Sequence, residues 1–353
     1  MDIKELLKAA VNHGASDIHI VPGRKPFLRI NGQMRSVNVS EFSPSQAQSM
    51  ILGMLPERLV DRFKAEGELD SSISVEHIGR FRLNVLRQKD GVAAVLRVIP
   101  SEIPEPDEIG LEDTVVKLTD VPRGMILVTG PTGSGKSTTL ASMINRINTN
   151  RRLHILTIED PIEYVYPRSK CVLTQREVGS HSKSFEEALR RAMRQDPDII
   201  LVGEMRDLET ISSALTLAET GHLVFGTLHT TDAAQSVDRI IDVFPSYQQQ
   251  QVRTQLSVVL KAVVCQQLLP HSEGKGRVAA REIMVVNSAI GNLIREGKTH
   301  QIYNAIEVGS RAGMKSLDKD LENLVASGKI TKESAVSKSN NPAQLKRHLG
   351  IAL

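Results

Sequence analysis

Eight consecutive residues, Gly130-Pro131-Thr132-Gly133-Ser134-Gly135-Lys136-Ser137, carry the pattern of a loop that wraps phosphate groups. The glycines let the backbone curl so that several N–H groups and a helix N-terminus face one anion. Lys136 is placed to reach the β and γ phosphates of ATP, and the Ser137 hydroxyl to ligate Mg²⁺. Thr138, next along the helix start, is grouped with the nucleotide-binding residues. A mere glycine turn beside a solvated lysine would not need the remaining positions, nor a Met125–Thr129 strand before them and a helix after.

Three further segments place acids and imidazoles at predicted strand ends. Asp198-Ile199-Ile200-Leu201-Val202-Gly203-Glu204 is an apolar strand finishing in a carboxylate, where such an acid points at Mg²⁺ and the attacking water. Glu stands where Asp is usual, and its greater length suits it to positioning or deprotonating water. Leu156-Thr157-Ile158-Glu159-Asp160-Pro161-Ile162-Glu163 supplies Glu159 as a candidate for the metal shell. Glu163 competes with Glu204 for the role of general base, and the sequence leaves that choice open. Thr220 to Thr230 holds His222 and His229 at opposite ends of one predicted strand. His229, at the C-terminal end where open α/β sheets bind ligands, is placed to sense the γ-phosphate. A lone histidine is more often structural, but both are taken as nucleotide contacts.

The elements that must position these groups are short apolar runs, Met125–Thr129, Leu153–Ile158, Ile199–Val202 and Leu223–Leu228, separated by amphipathic helices. That alternation predicts a parallel sheet buried on both faces. Ser184 and Glu187 predict a capping box opening a helix to Arg194. Upstream, Ile3, Leu6, Leu7, Ala10 and Val11 mark one helix stripe, and Ser43-Pro44 a cap and first turn. Phe81, Leu83 and Val85 alternate with Arg80, Arg82 and Asn84, and Asp90-Gly91 marks a hairpin. Pro100, Pro104 and Pro106 prevent regular helix or a central strand. The expected organisation is therefore an N-terminal α+β domain over 1–99, a Pro-rich linker over 100–113, an ATPase core over 114–285 and a helical segment over 286–353.

The 353 residues are 40% hydrophobic, enough for sizeable cores, which excludes wholesale disorder. Lys and Arg number 44 against 41 Asp and Glu, a net +3 too weak to hold nucleic acid or an anionic membrane by charge alone. Aromatics at 3% leave few rings for stacking bases, which disfavours a nucleic-acid translocase. Cys171 and Cys265 cannot build a four-thiolate zinc site and read as inert thiols. No apolar run approaches the roughly 18 residues of a membrane span, and the start lacks a secretory signal, so a cytoplasmic location is expected.

Together these segments resemble the secretion-type ATPases of the type II secretion and type IV pilus systems. Gly130–Ser137 matches their Walker A motif, 158–163 the acidic box, 199–204 the Walker B motif and 221–229 the His box. Ala15-Ser16-Asp17-Ile18-His19 and Gly79-Arg80-Phe81-Arg82-Leu83-Asn84 extend the likeness to the N-terminal unit. The chain lacks the four-cysteine insertion usual in assembly and secretion members. Ala289-Ile290-Gly291-Asn292-Leu293-Ile294-Arg295-Glu296 is close to the AIRNLIRE signature of the retraction motors, with Gly291 in place of Arg. The resemblance implies a PAS-like N-terminal domain, a RecA-like core and a hexameric ring. It implies hydrolysis of ATP with Mg²⁺ to drive pilus retraction, at an inner-membrane platform protein on the cytoplasmic face. Pilus assembly or type II secretion is the alternative output. Arg82 and Arg97, with Arg80 behind them, are candidates to neutralise transition-state charge from outside the core.

Overall fold

The structure, a computed structural model, describes residues 2–30, 32–100, 102–274 and 276–351. The chain forms two compact units, Met1–Glu102 with Pro161–Val165, and Ile103–Asp160 with Tyr166–Leu353.

The first unit runs α1 (Ile3–Asn12), β1 (Asp17–Ile20), β2 (Phe27–Ile30), β3 (Gln33–Ser36), α2 (Pro44–Leu52), α3 (Glu57–Glu66), β4 (Glu68–Val75), β5 (Gly79–Gln88) and β6 (Gly91–Ile99). Its strands form one antiparallel sheet in the order β3-β2-β1-β6-β5-β4. Period-two alternation decides the faces. Phe81, Leu83 and Val85 are buried with Ile18, Ile20 and Leu96, and the helices cover this face with Leu6, Leu7, Ala47, Ile51 and Phe63. Arg80, Arg82 and Asn84 therefore emerge on the other face, with Arg97 opposite Arg82. The helix after Ser43 forms as expected: the Ser43 hydroxyl accepts from the Gln46 N–H, the Gln46 side chain accepts in return, and Pro44 occupies the first turn.

The second unit continues with α4 (Asp113–Lys117), β7 (Gly124–Thr129), α5 (Lys136–Asn150), β8 (His154–Glu159), β9 (Val172–Glu177), α6 (Phe185–Ala192), β10 (Ile199–Val202), α7 (Leu208–Glu219) and β11 (Leu223–Leu228). It ends with α8 (Ala233–Asp242), α9 (Ser246–Val259), β12 (Leu260–Pro270), β13 (Arg277–Val285), α10 (Ser288–Arg295), α11 (Ile302–Val308), α12 (Leu317–Ala326), α13 (Lys332–Lys338) and α14 (Pro342–His348). The sheet order is β13-β12-β7-β11-β10-β8-β9, parallel except for β13. Every residue of β7, β10 and β11 is buried, as a sheet covered on both faces requires.

Ser184 caps α6 through the Glu187 N–H, but the predicted reciprocal bond is not made. The Glu187 carboxylate instead takes Arg191 one turn on at 2.7 Å, and the helix stops at Ala192 rather than Arg194. The C-terminal segment is helical and closes its own small core of Leu317, Leu321, Ile330 and Leu345 over Leu269 and Ala280. Both cysteines are free thiols, and burial pushes Cys265 well above the ordinary thiol value. No helix among the described residues is long and apolar enough to cross a membrane.

Candidate active site

Because β7, β8, β10 and β11 run parallel and nearly in register, their C-terminal ends come to one edge of the sheet. Leu228 pairs with Thr129, and Val202 with both Ile158 and Gly226. The phosphate loop, Glu159, Glu204 and His229 each leave the sheet there. This is the crevice in which open α/β sheets place ligands.

The loop needs its glycines. Gly130, Gly133 and Gly135 have φ of 142°, 77° and 88°, and a Cβ on Gly130 would fall 2.2 Å from the Gln266 carbonyl oxygen. Gln266, on β12, also grips the loop with its side chain, accepting from the Thr139 hydroxyl at 2.8 Å and donating to the Ser134 carbonyl at 2.7 Å. The Lys136 ammonium donates to the Gly130 and Pro131 carbonyls at 2.7 and 3.1 Å. Burial lowers its pKa, with Glu204 acting in the opposite sense. Ser137 is exposed in the first turn of α5.

Glu204 is held by two side chains at one oxygen. The Arg206 Nε binds Oε1, and His229 Nε2 lies 2.9 Å from the same atom. Burial alone would raise this carboxyl, but the hydrogen bonds and charges of Arg206 and His229 outweigh it and keep it below the ordinary value. Two bonds pin the strand end itself: the Thr227 hydroxyl donates to the Gly203 carbonyl at 2.5 Å, and the Met205 N–H donates to the Thr227 carbonyl at 3.1 Å. Glu159 is buried, and its Oε1 accepts from the Thr157 hydroxyl at 2.6 Å and the Gln175 amide at 3.4 Å.

The two histidines separate. His222 lies at the N-terminal end of β11, where its Nδ1 is 2.9 Å from the Leu217 carbonyl at the end of α7. The structure brings His229 to the phosphate loop and sets His222 at the far edge of the same sheet. In the first unit Glu163 lies 3.6 Å from Arg82, and Arg97 donates to Asp17 at 2.9 Å.

Gln266 and Arg206 were not singled out in the sequence. Gln266 had a signal, since two glutamines interrupt the apolar run Ala262–Leu269, where a buried amide demands partners. Arg206 had none, because an arginine after a strand-end acid reads as solvated.

The family of type II/IV secretion system proteins matches residues 1–337. The chain is 49% identical to the type IV pilus retraction ATPase PilT of Pseudomonas aeruginosa, over 97% of this chain and 99% of that one. It is 48% identical to a twitching motility protein of Neisseria gonorrhoeae, over 90% of this chain and 84% of that one. A crystal structure of the pilus retraction motor PilT with bound ADP superposes with a TM-score of 0.93 at 47% identity, covering 98% and 99% of the two chains.

Proposed function

The chain belongs to the family of type II/IV secretion system proteins, and from that premise we propose that it is an ATP-hydrolysing motor for retraction of type IV pili. The observation that carries this reading is the likeness to a retraction ATPase along 99% of that protein's length, joined to the phosphate loop, Glu204 and His229 gathered at one sheet edge. We read the first unit as PAS-like and the second as RecA-like.

The loop N–H groups bind the phosphates of ATP, and Lys136 exchanges its two carbonyl partners for the β and γ oxygens. Water attacks the γ-phosphorus in line, through a loose transition state that asks for charge neutralisation and positioning more than for a strong base. Glu204, kept ionised by Arg206 and His229, orients that water. Glu163 is the candidate to take its proton. His229 registers the γ-phosphate, and its bond to Glu204 transmits the loss of that group to the end of β11.

The donors near the loop are hard oxygens: the Ser137 hydroxyl and the Glu159 and Glu204 carboxylates. No cluster of three or more His, Cys, Asp or Glu side chains able to cage an ion occurs among the described residues. That set fits Mg²⁺ held through phosphates, water and one or two protein oxygens. When bound, Mg²⁺ supplies charge neutralisation at the β and γ oxygens.

Arg82 and Arg97 act on the nucleotide of a neighbouring copy in a hexameric ring, docked on a platform protein at the cytoplasmic face of the inner membrane. The test is ATPase activity per chain across a wide range of protein concentration. Activity that rises and saturates fits a site completed by assembly; constant activity down to monomer dilution overturns it. In cells, deletion leaving surface pili that no longer retract fits a retraction motor, whereas loss of pili marks an assembly motor.

A further inference from the structure

Across the first unit's polar sheet face, one lateral row passes through five strands: Ser72, Arg82, Arg97, Asp17 and Arg29. Arg82 and Arg97 are directly opposite one another, a like-charge pair that destabilises a sheet unless a neighbour compensates. Asp17 is that neighbour for Arg97, as Glu163, 3.6 Å away, is for Arg82. The Asp17 carboxylate is almost fully buried at 8% side-chain exposure, whereas the Arg97 side chain is 64% exposed.

The contact has a particular shape. Asp17 Oδ1 accepts from Arg97 Nε at 2.9 Å, and Oδ2 accepts from the Ser16 hydroxyl at 2.9 Å with Arg29 Nε 3.6 Å away. A carboxylate that took the guanidinium by its fork would use up both terminal nitrogens. Held at Nε, Arg97 keeps both Nη groups for a second anion. Burial alone would raise the Asp17 carboxyl, but the bonds from Arg97 and Ser16 and the charges of Arg97 and Arg29 outweigh it and keep it low. The grip is therefore ionic throughout the neutral range.

We propose that Asp17 is the positioning residue for Arg97, fixing the guanidinium at Nε so that its two Nη groups meet the γ-phosphate of a neighbouring copy's ATP. This rests on the reading that Arg97 acts in trans. Holding the fork in advance removes the cost of ordering a long exposed side chain at the moment of reaction.

The test compares Asp17→Ala, Asp17→Asn, Arg97→Ala and the Asp17→Ala/Arg97→Ala double variant, all as full chains at ring-forming concentration. The readouts are kcat, KM for ATP and melting temperature. Asp17→Ala is expected to lower kcat about 10-fold or more while KM stays within about two-fold. Asp17→Asn, whose amide oxygen still accepts from Nε, should recover part of that loss. The double variant should be no slower than Arg97→Ala alone, because the two residues act as one unit. Wild-type kcat in Asp17→Ala, or additive losses in the double variant, overturns the proposal while leaving Arg97 in its role. Wild-type kcat in Arg97→Ala removes the reading beneath it and the proposal together. Should Asp17→Ala not fold, Asp17→Asn with and without Arg97→Ala decides by the same additivity criterion.

Discussion

Gly203 passes so close to Glu159 that a Cβ on it would stand 3.1 Å from the Glu159 Cα and 3.2 Å from the Ile158 carbonyl oxygen. The contact is backbone against backbone where β8 and β10 end side by side, so no flexible side chain can give way. It sets Glu159 and the residue after Gly203, Glu204, side by side at the sheet edge.

Gly203→Ala should therefore cost about 1–3 kcal/mol by overpacking and also slow turnover, because the strand ends must part. Thermal unfolding and kcat are measured together. A variant as stable and as fast as the parent would mean that the two strand ends adjust freely.

Arg206 holds the Glu204 carboxyl below its ordinary value against a burial effect in the other direction. In Arg206→Ala that restraint goes, so the Glu204 pKa rises. The acid limb of the pH dependence of kcat should move to higher pH, with activity near neutrality less affected than activity at pH 5. An unchanged acid limb would show that Glu204 ionisation does not limit the reaction.

Gln266 satisfies two groups that lie far from it in sequence, Ser134 in the loop and Thr139 in the helix that follows it. Gln266→Leu leaves the Ser134 carbonyl and the Thr139 hydroxyl without these partners, at about 1–3 kcal/mol per stranded buried group. The expected result is weaker nucleotide binding, read by titration with a fluorescent ATP analogue, beyond any change in melting temperature. Unaltered affinity would mean the loop keeps its shape without the clamp.

Glu282, on β13, is 1% exposed, and its carboxyl is pushed up to about 7 by burial, aided by Asp232 and Asp318 and opposed by the Ala233 N–H. Its ordinary value is 4.5. Above that pH the unfolded chain gives up the proton while the folded chain keeps it, so stability declines as pH rises from about 4.5 to about 7 and then levels off. Glu282→Gln should raise stability at pH 5 by less than about 1 kcal/mol and at pH 8 by up to about 3 kcal/mol. Denaturant unfolding at the two pH values checks this, and an equal difference at both would contradict it.

The phosphate loop, the strand-end acid Glu204, the acids Glu159 and Glu163 and the paired histidines could all be read from the sequence, because each motif is a run of neighbours. So could the apolar runs of β7, β8, β10 and β11, which are buried throughout except for His154 at the start of β8, so that few polar positions blur the pattern. Strand β12 was not foreseen, since it follows α9 directly and carries two glutamines within its apolar run.

Only the tertiary structure decided which of these groups meet. Parallel register brings His229 onto Glu204 and leaves His222 at the other end of the same strand, although both flank β11 in sequence. The clamp from Gln266 to Ser134 spans 132 residues, and the grip of Asp17 on Arg97 spans 80. A local run of residues specifies what chemistry a chain can do. Strand order and register, set by how the apolar faces bury one another, specify which distant side chains hold that chemistry in place.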